Sequence, residues 1–195
     1  MLVNKGKLFV VSAPSGSGKT TIVRNTLKEI PNLEFSVSAT TRKQRENEKE
    51  GIDYFFISEV EFERKIKNNE FIEWEQFYDY YYGTVKSHID EKINNGNSVV
   101  LEVDVKGALS IKKAYPDSVL IFIMPPSIEV LKSRLIKRNT ESEEDLVKRF
   151  ERAEMELGYK DKFDYIVINE DLVYAKKRVL EIVKNEIQED KLNEH

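Results

Sequence analysis

The chain has 195 residues, 31 lysines and arginines against 35 aspartates and glutamates, and a formal net charge of −4. That length supports one sizeable core with small insertions, and the acidic balance argues against a general nucleic-acid binder, which carries a basic surface. With 0 cysteines and 2 histidines, disulfides, thiolate metal sites, histidine metal centres and a serine–histidine triad fall away.

The N-terminal apolar stretch "LFVV" runs straight into a glycine-rich loop, not into a small-residue cleavage site. No apolar run approaches the roughly 18 residues that cross a bilayer. The expectation is a cytoplasmic protein with no membrane segment. Apolar, β-rich runs then follow in order: "LFVVSA" (8–13), "FSVSAT" (35–40), "SVVLEVD" (98–104), "SVLIFIM" (118–124) and "DYIVIN" (164–169). Near-continuous apolarity marks strands covered on both faces, as in a parallel sheet. Helical patterns follow the first, third, fourth and fifth runs: "KTTIVRNTLKEI", "VKGALSIKKAY", "SIEVLKSRLIKR" and "DLVYAKKRVLEIVKNEIQ". The alternation predicts an α/β fold, a parallel sheet flanked by helices.

Two stretches break the rhythm. Residues 41 to 88 are rich in charge and aromatics, with strand-like "DYFFIS" and "FIEWEQFY". Between these pieces Ser58 and Glu61 form a capping box opening a helix. The reading is a small α+β insertion over 37–88. Residues 126–158 are charged and helical, with Thr140 and Glu143 as a second capping box, and read as a helical lid. Residues 1–36, 89–125 and 159–195 form the core, and the polar tail "QEDKLNEH" is expected to fray. Trp74 reads as core, and Tyr78, Tyr80 and Tyr81 as packing or rim.

"SAPSGSGKTT" (12–21) matches the phosphate-loop pattern G-x-x-x-x-G-K-[ST], except that Ala13 stands at the first position. The motif has the context it demands, a strand before and an amphipathic helix after. Gly16 and Gly18 open backbone geometries that aim N–H groups at phosphate oxygens. The helix adds its positive N-terminus. Ala13, Pro14, Ser15, Gly16, Ser17, Gly18, Lys19, Thr20 and Thr21 are therefore assigned to a nucleoside triphosphate. Lys19 bridges its β- and γ-phosphates, and Thr20 offers a hydroxyl to Mg²⁺. Ala13 costs little provided its backbone is ordinary.

Arg42 and Arg45 follow the second apolar run, and a guanidinium fork suits a phosphate. Alone, such a pair is ordinary solvated surface. The order "S-x-T-T-R-x-x-R-x-x-E-x-x-G-x-D-Y", however, closely resembles the nucleoside-monophosphate site of guanylate kinases. "FIEWEQF", "YYGT", "LEVDVKGA", "IFIMPPS", "RLIKRNTES" and "DYIVIN" match the same family in order, over about residues 5 to 185. The resemblance implies ATP-dependent phosphorylation of GMP, and of dGMP, with Mg²⁺.

It puts Arg42, Arg45, Tyr54 and Tyr82 on the GMP phosphate. Glu73 and Ser38 read the guanine, with Thr84 assisting. The chemistry agrees, because one carboxylate accepts from both guanine N1–H and N2–H₂, and a hydroxyl donates to O6. Glu102 and Asp104, two apart on a predicted strand, point to one face. The resemblance sets Asp104 near GMP and Glu102 near guanine or Mg²⁺-bound water; a structural role for Glu102, as a salt bridge or cap, stays open. Arg134 and Arg138, four apart on a helix, and Arg149 beyond them become lid arginines for the ATP phosphates. Arg138 also stacks near adenine, with Asn169 at that pocket's rim.

No general base is expected, since the GMP phosphate is itself the nucleophile. Thr84 stands where the family commonly has serine, and Asn139 where it often has glycine. Two other readings compete: a P-loop kinase for another small phosphorylated acceptor, and an inactive guanylate-kinase-like binding module. The intact Gly18, Lys19 and Thr20 count against the second.

Overall fold

The computed structural model describes residues 5–77, 79–136 and 143–193. Every residue of β1 (Leu8–Ser12) is buried, and its side chains alternate between two cores. Phe9 and Val11 join one cluster with Ile22, Val23 and Val179; Leu8 and Val10 join another with Ile89, Leu101 and Phe122. A strand covered on both faces has no solvent side to carry polar residues, hence its unbroken apolar sequence.

In chain order there follow α1 (Lys19–Glu29), β2 (Leu33–Phe35), β3 (Ala39–Thr40), β4 (Phe55–Phe56), α2 (Glu59–Lys67), β5 (Phe71–Phe77) and β6 (Tyr80–Val85). Then come α3 (Lys86–Asn94), β7 (Ser98–Glu102), α4 (Val105–Ala114), β8 (Val119–Met124), α5 (Ile128–Ile136) and α6 (Glu143–Leu157). A 3₁₀ turn (Lys160–Lys162), β9 (Tyr165–Ile168) and α7 (Leu172–Asn193) complete the described chain. Among the described residues one sheet has five parallel strands in the order β2-β7-β1-β8-β9. Helices α1 and α7 cover one face, α3 and α4 the other. Because β1 lies between β7 and β8, its C-terminal end opens at the point where the connections diverge, the place α/β sheets bind ligands.

The second sheet has four strands in the order β4-β3-β6-β5. Its hairpin β5–β6 pairs Glu73 with Thr84 and Glu75 with Tyr82, so these four side chains share one face. The opposite face packs on α2, where Phe62 is 0% exposed and stacks on Phe71 and Tyr81 at centroid distances of 4.3 and 5.3 Å. Gly83 belongs to that face: a Cβ there would come 2.9 Å from Phe71. Ser58 caps α2 by accepting from the Glu61 N–H at 3.1 Å, as the sequence predicts, but the Glu61 carboxylate accepts from Arg64 instead of closing the box.

Several expectations change. "FSVSAT" is not one strand. Ser36 N–H still bonds Val100 in the first sheet at 2.9 Å, whereas the Ser38 carbonyl accepts from Phe55 in the second at 2.9 Å, so the chain changes sheets across 36–38. Asp104 is not on a strand beside Glu102. β7 stops at Glu102, and Asp104 caps α4, accepting from Gly107 N–H at 2.7 Å. Trp74 is not core: on edge strand β5 it is 47% exposed and leans on Tyr81. Helix α3 lacks a side-chain cap, so no capping residue announced it. α7 continues to Asn193 through the tail expected to fray, since no glycine or proline stops it. Arg138 and Thr140, the N-cap of the expected second capping box, lie outside the described residues.

Phe62 anchors the whole second sheet, so Phe62→Ala is expected to cost about 3–5 kcal/mol. Urea unfolding followed by Trp74 fluorescence measures this; a loss below about 1 kcal/mol would contradict the packing described.

Candidate active site

β1 ends at Ser12, and the chain turns through 13–18 into α1. Gly16 (φ 89°) and Gly18 (φ 86°) adopt the left-handed conformation. Among the described non-glycine residues positive φ occurs at Asn69 alone, so Ala13 keeps an ordinary backbone. Its methyl group is buried in the core cluster of α1 and α7, which is why alanine serves where the pattern has glycine. Buried Asn169, just past β9, braces the loop from below: its side-chain amide donates to the Ser17 carbonyl at 2.7 Å. A Cβ on Gly18 would fall 2.6 Å from that amide. Gly18 is thus required by both conformation and space.

Lys19 donates to the Val103 carbonyl, at the end of β7, at 3.2 Å. Burial lowers its pKa, while Glu102, Glu156 and Asp104 oppose that shift. Thr20 donates to Glu102 at 2.8 Å. The structure therefore sets Glu102 on the phosphate-loop side of the site.

The residues expected to hold the acceptor lie in and around the second sheet. Arg42 pairs both arms of its fork with Glu48, at 2.7 and 3.0 Å, and its guanidinium lies 5.4 Å from the Tyr54 ring centroid. The Arg45 backbone N–H also donates to Glu48, at 2.9 Å, and its side chain is exposed. Tyr54 meets Tyr82 edge-on at 5.9 Å. Ser38 is half-buried at the switch between sheets.

On the same sheet face Thr84 donates to Glu73 at 2.6 Å. The other Glu73 oxygen and Asp104 crowd Gly107, where a Cβ would lie 3.2 Å from each. Burial pushes the Glu73 pKa up to about 7; Asp104 and Glu75 push the same way, and the Thr84 hydrogen bond opposes them.

Helices α5 and α6 pack through Leu131, Leu135 and Ala153. Arg134 donates to the Asn169 carbonyl at 3.0 Å, and Arg149 hydrogen-bonds the Ser15 hydroxyl on the phosphate loop. One cleft of about 920 Å³ is lined by the Ala13–Thr21 loop, by Tyr54, Tyr82, Glu75 and Asp104, and by Arg149, Arg152 and Glu156 of α6. Sequence reading passed over Glu48, Glu75, Arg152 and Glu156. The signals were present: Glu48 sits in the acceptor motif, Glu75 alternates with Glu73, and Arg149, Arg152 and Glu156 repeat at helical spacing.

A model of the guanylate kinase family matches residues 5–186. The chain belongs to the guanylate kinase family. Guanylate kinases of Thermotoga maritima and Chlorobium luteolum are each 48% identical to it, over 93% and 92% of this chain and 88% and 92% of theirs. The crystal structure of guanylate kinase from Anaplasma phagocytophilum superposes with a TM-score of 0.75 at 32% identity, covering 95% of this chain and 88% of that one. The activity is transfer of a phosphoryl group from ATP to GMP. Intact Gly18, Lys19 and Thr20 agree with an active member of the family. Among the described residues no helix is long and apolar enough to cross a membrane.

Glu73 has a folded pKa near 7, above its ordinary 4.5. The folded state then binds more protons than the unfolded state between those values, and the Glu73 contribution to stability falls as pH rises through them. Glu73→Gln removes this penalty. Its stability relative to wild type is expected to rise by about 2–3 kcal/mol between pH 5 and pH 8. Denaturant unfolding at the two pH values measures the difference; a pH-independent difference would refute the assignment.

Proposed function

We propose that ATP lies on the Ala13–Thr21 loop, GMP lies on the 37–88 insertion, and 126–158 closes over both. The remaining residues, 1–36, 89–125 and 159–195, form the core in this scheme. The observation that carries the proposal is the shared cleft, which opens both the loop and the insertion to the Arg149 face of α6.

Glu73 accepts from guanine N1–H and N2–H₂, while Thr84 orients the carboxylate and Ser38 and Asp104 complete the guanine wall. Adenine lacks the adjacent donor pair and would leave a buried acceptor unpaired, which discriminates strongly. Arg42, Arg45, Tyr54 and Tyr82 take the GMP phosphate. dGMP offers the same base and phosphate, and is included as a substrate.

The GMP phosphate attacks the γ-phosphorus without a protein base. With a second pKa of about 6 it is already largely dianionic at neutral pH. The task left to the protein is to bring two anions together in line and offset their charge. Lys19 exchanges the Val103 carbonyl for β- and γ-phosphate oxygens. Arg149 moves from Ser15 to the same phosphates, joined by Arg134 and Arg138. Arg138 also flanks adenine, with Asn169 at its rim. Lid closure keeps out the water that would hydrolyse ATP.

The Thr20 hydroxyl and Glu102 carboxylate form a pair of hard oxygen donors, the kind Mg²⁺ prefers when it is shared with substrate phosphates. Among the described residues no cluster of three or more acidic or histidine ligands would hold a metal unaided. Thr20 would be a direct ligand and Glu102 would act through bound water. When bound, Mg²⁺ supplies neutralisation of charge between the β- and γ-phosphates. The proposed setting is the cytoplasm, in keeping with a chain of 0 cysteines.

Lys19→Ala is expected to lower kcat by about 100-fold or more with unchanged thermal unfolding; activity within fivefold of wild type contradicts the assignment. Glu73→Gln is expected to weaken GMP binding by about 10–100-fold, the worth of a charge-assisted hydrogen bond. ATP affinity stays unaltered. Calorimetric titrations with each nucleotide separate the two, and equal losses would argue against base reading.

A further inference from the structure

Arg149, Arg152 and Glu156 form a stripe on α6, spaced three and four residues apart and facing the cleft. Arg149 reaches the phosphate loop. Arg152 reaches the opposite wall, with one arm 3.2 Å from Asp104 and 3.5 Å from Glu75, and its Nε donates to Glu156 at 3.1 Å. Asp104 and Glu75 flank Glu73: Asp104 crowds Gly107 with it, and Glu75 is the next residue on its sheet face. Asp104 and Glu75, which Arg152 meets across the cleft, therefore belong to the surroundings of Glu73.

We propose that Arg152 is a positioning residue that couples the acceptor half of the site to the lid. Its hold on Asp104 and Glu75 sets the angle of α6 and so brings Arg149 over the phosphate loop. The proposal rests on the reading of Glu73 as the guanine acceptor.

A planar guanidinium can serve two carboxylates at once, which an ammonium does less well. The contacts to Asp104 and Glu75 are longer than the roughly 2.7–2.9 Å of a fully formed charge-assisted bond, so this latch is engaged with room to tighten. GMP supplies the pull. Guanine N–H donors favour the ionised Glu73, and a full negative charge there strengthens the attraction between that wall and Arg152.

The experiment measures binding of an ATP analogue with an imido β–γ bridge, with and without saturating GMP, to wild type, Arg152→Gln, Arg152→Lys and Glu75→Gln. In wild type GMP is expected to tighten analogue binding by about fivefold or more. In Arg152→Gln that factor is expected to fall towards one. Each nucleotide alone still binds within about twofold of wild type, kcat drops by about tenfold, and the KM for GMP at saturating ATP rises by up to the lost factor.

Arg152→Lys should recover part of the factor, and Glu75→Gln should lose part of it from the other side, so the proposal is tested even if one variant folds poorly. A wild-type coupling factor in Arg152→Gln overturns the proposal. So does equal loss of both single-ligand affinities with the factor unchanged, which marks a structural arginine. Absence of coupling in wild type overturns it too. A failure of the guanine reading would instead appear as unchanged GMP affinity in Glu73→Gln.

Discussion

A carboxylate buried beside two others must find donors or give up its charge. Glu73 is in that position, with Asp104 and Glu75 as neighbours and the Thr84 hydroxyl as a donor. Much of the acceptor half follows from keeping it there. The β5–β6 hairpin turns Glu73 and Thr84 to one face because strand side chains alternate, and Phe62 under the other face holds the hairpin in register. Gly107 leaves room beside them, since a Cβ there would sit 3.2 Å from both Glu73 and Asp104. Asp104 is held by capping α4. The result is a buried carboxylate with one hydroxyl donor, and in the proposed scheme guanine adds a pair of N–H donors.

The donor half is organised by the opposite charge. Its loop leaves the central strand of a parallel sheet, takes two left-handed glycines, and rests on the Asn169 amide. Lys19 and Thr20 come to the ends of β7, on the Val103 carbonyl and the Glu102 carboxylate. In the proposed scheme a triphosphate takes these partners' place on a loop whose backbone is already shaped for it. Helix α6 joins the halves, with Arg149 on the loop and Arg152 on the acceptor wall.

What the sequence disclosed is what short-range physics controls. The parallel sheet was legible because two-sided burial leaves runs such as 118–124 with almost no polar residues. The phosphate loop was legible because its glycines and lysine have fixed spacing, and Ala13 mattered little because the left-handed turns fall at 16 and 18. The expectation for the acceptor residues came from their order along the chain, not from local chemistry.

The misreadings share a cause. Whether 35–40 is one strand or two, whether Asp104 is in a strand or caps a helix, and whether Trp74 is covered all depend on which distant segment pairs alongside. Arg152 and Glu75 drew no assignment because they meet only across 77 positions of chain.

The central claim is that Glu73 waits half-protonated for guanine, and its carboxyl carbon can be titrated directly by NMR with and without GMP. The expected result is a pKa of about 7 in the free protein and a clear fall when GMP binds, absent when ATP alone is added. An ordinary pKa near 4.5 in the free protein, or one that GMP leaves in place, would contradict the account.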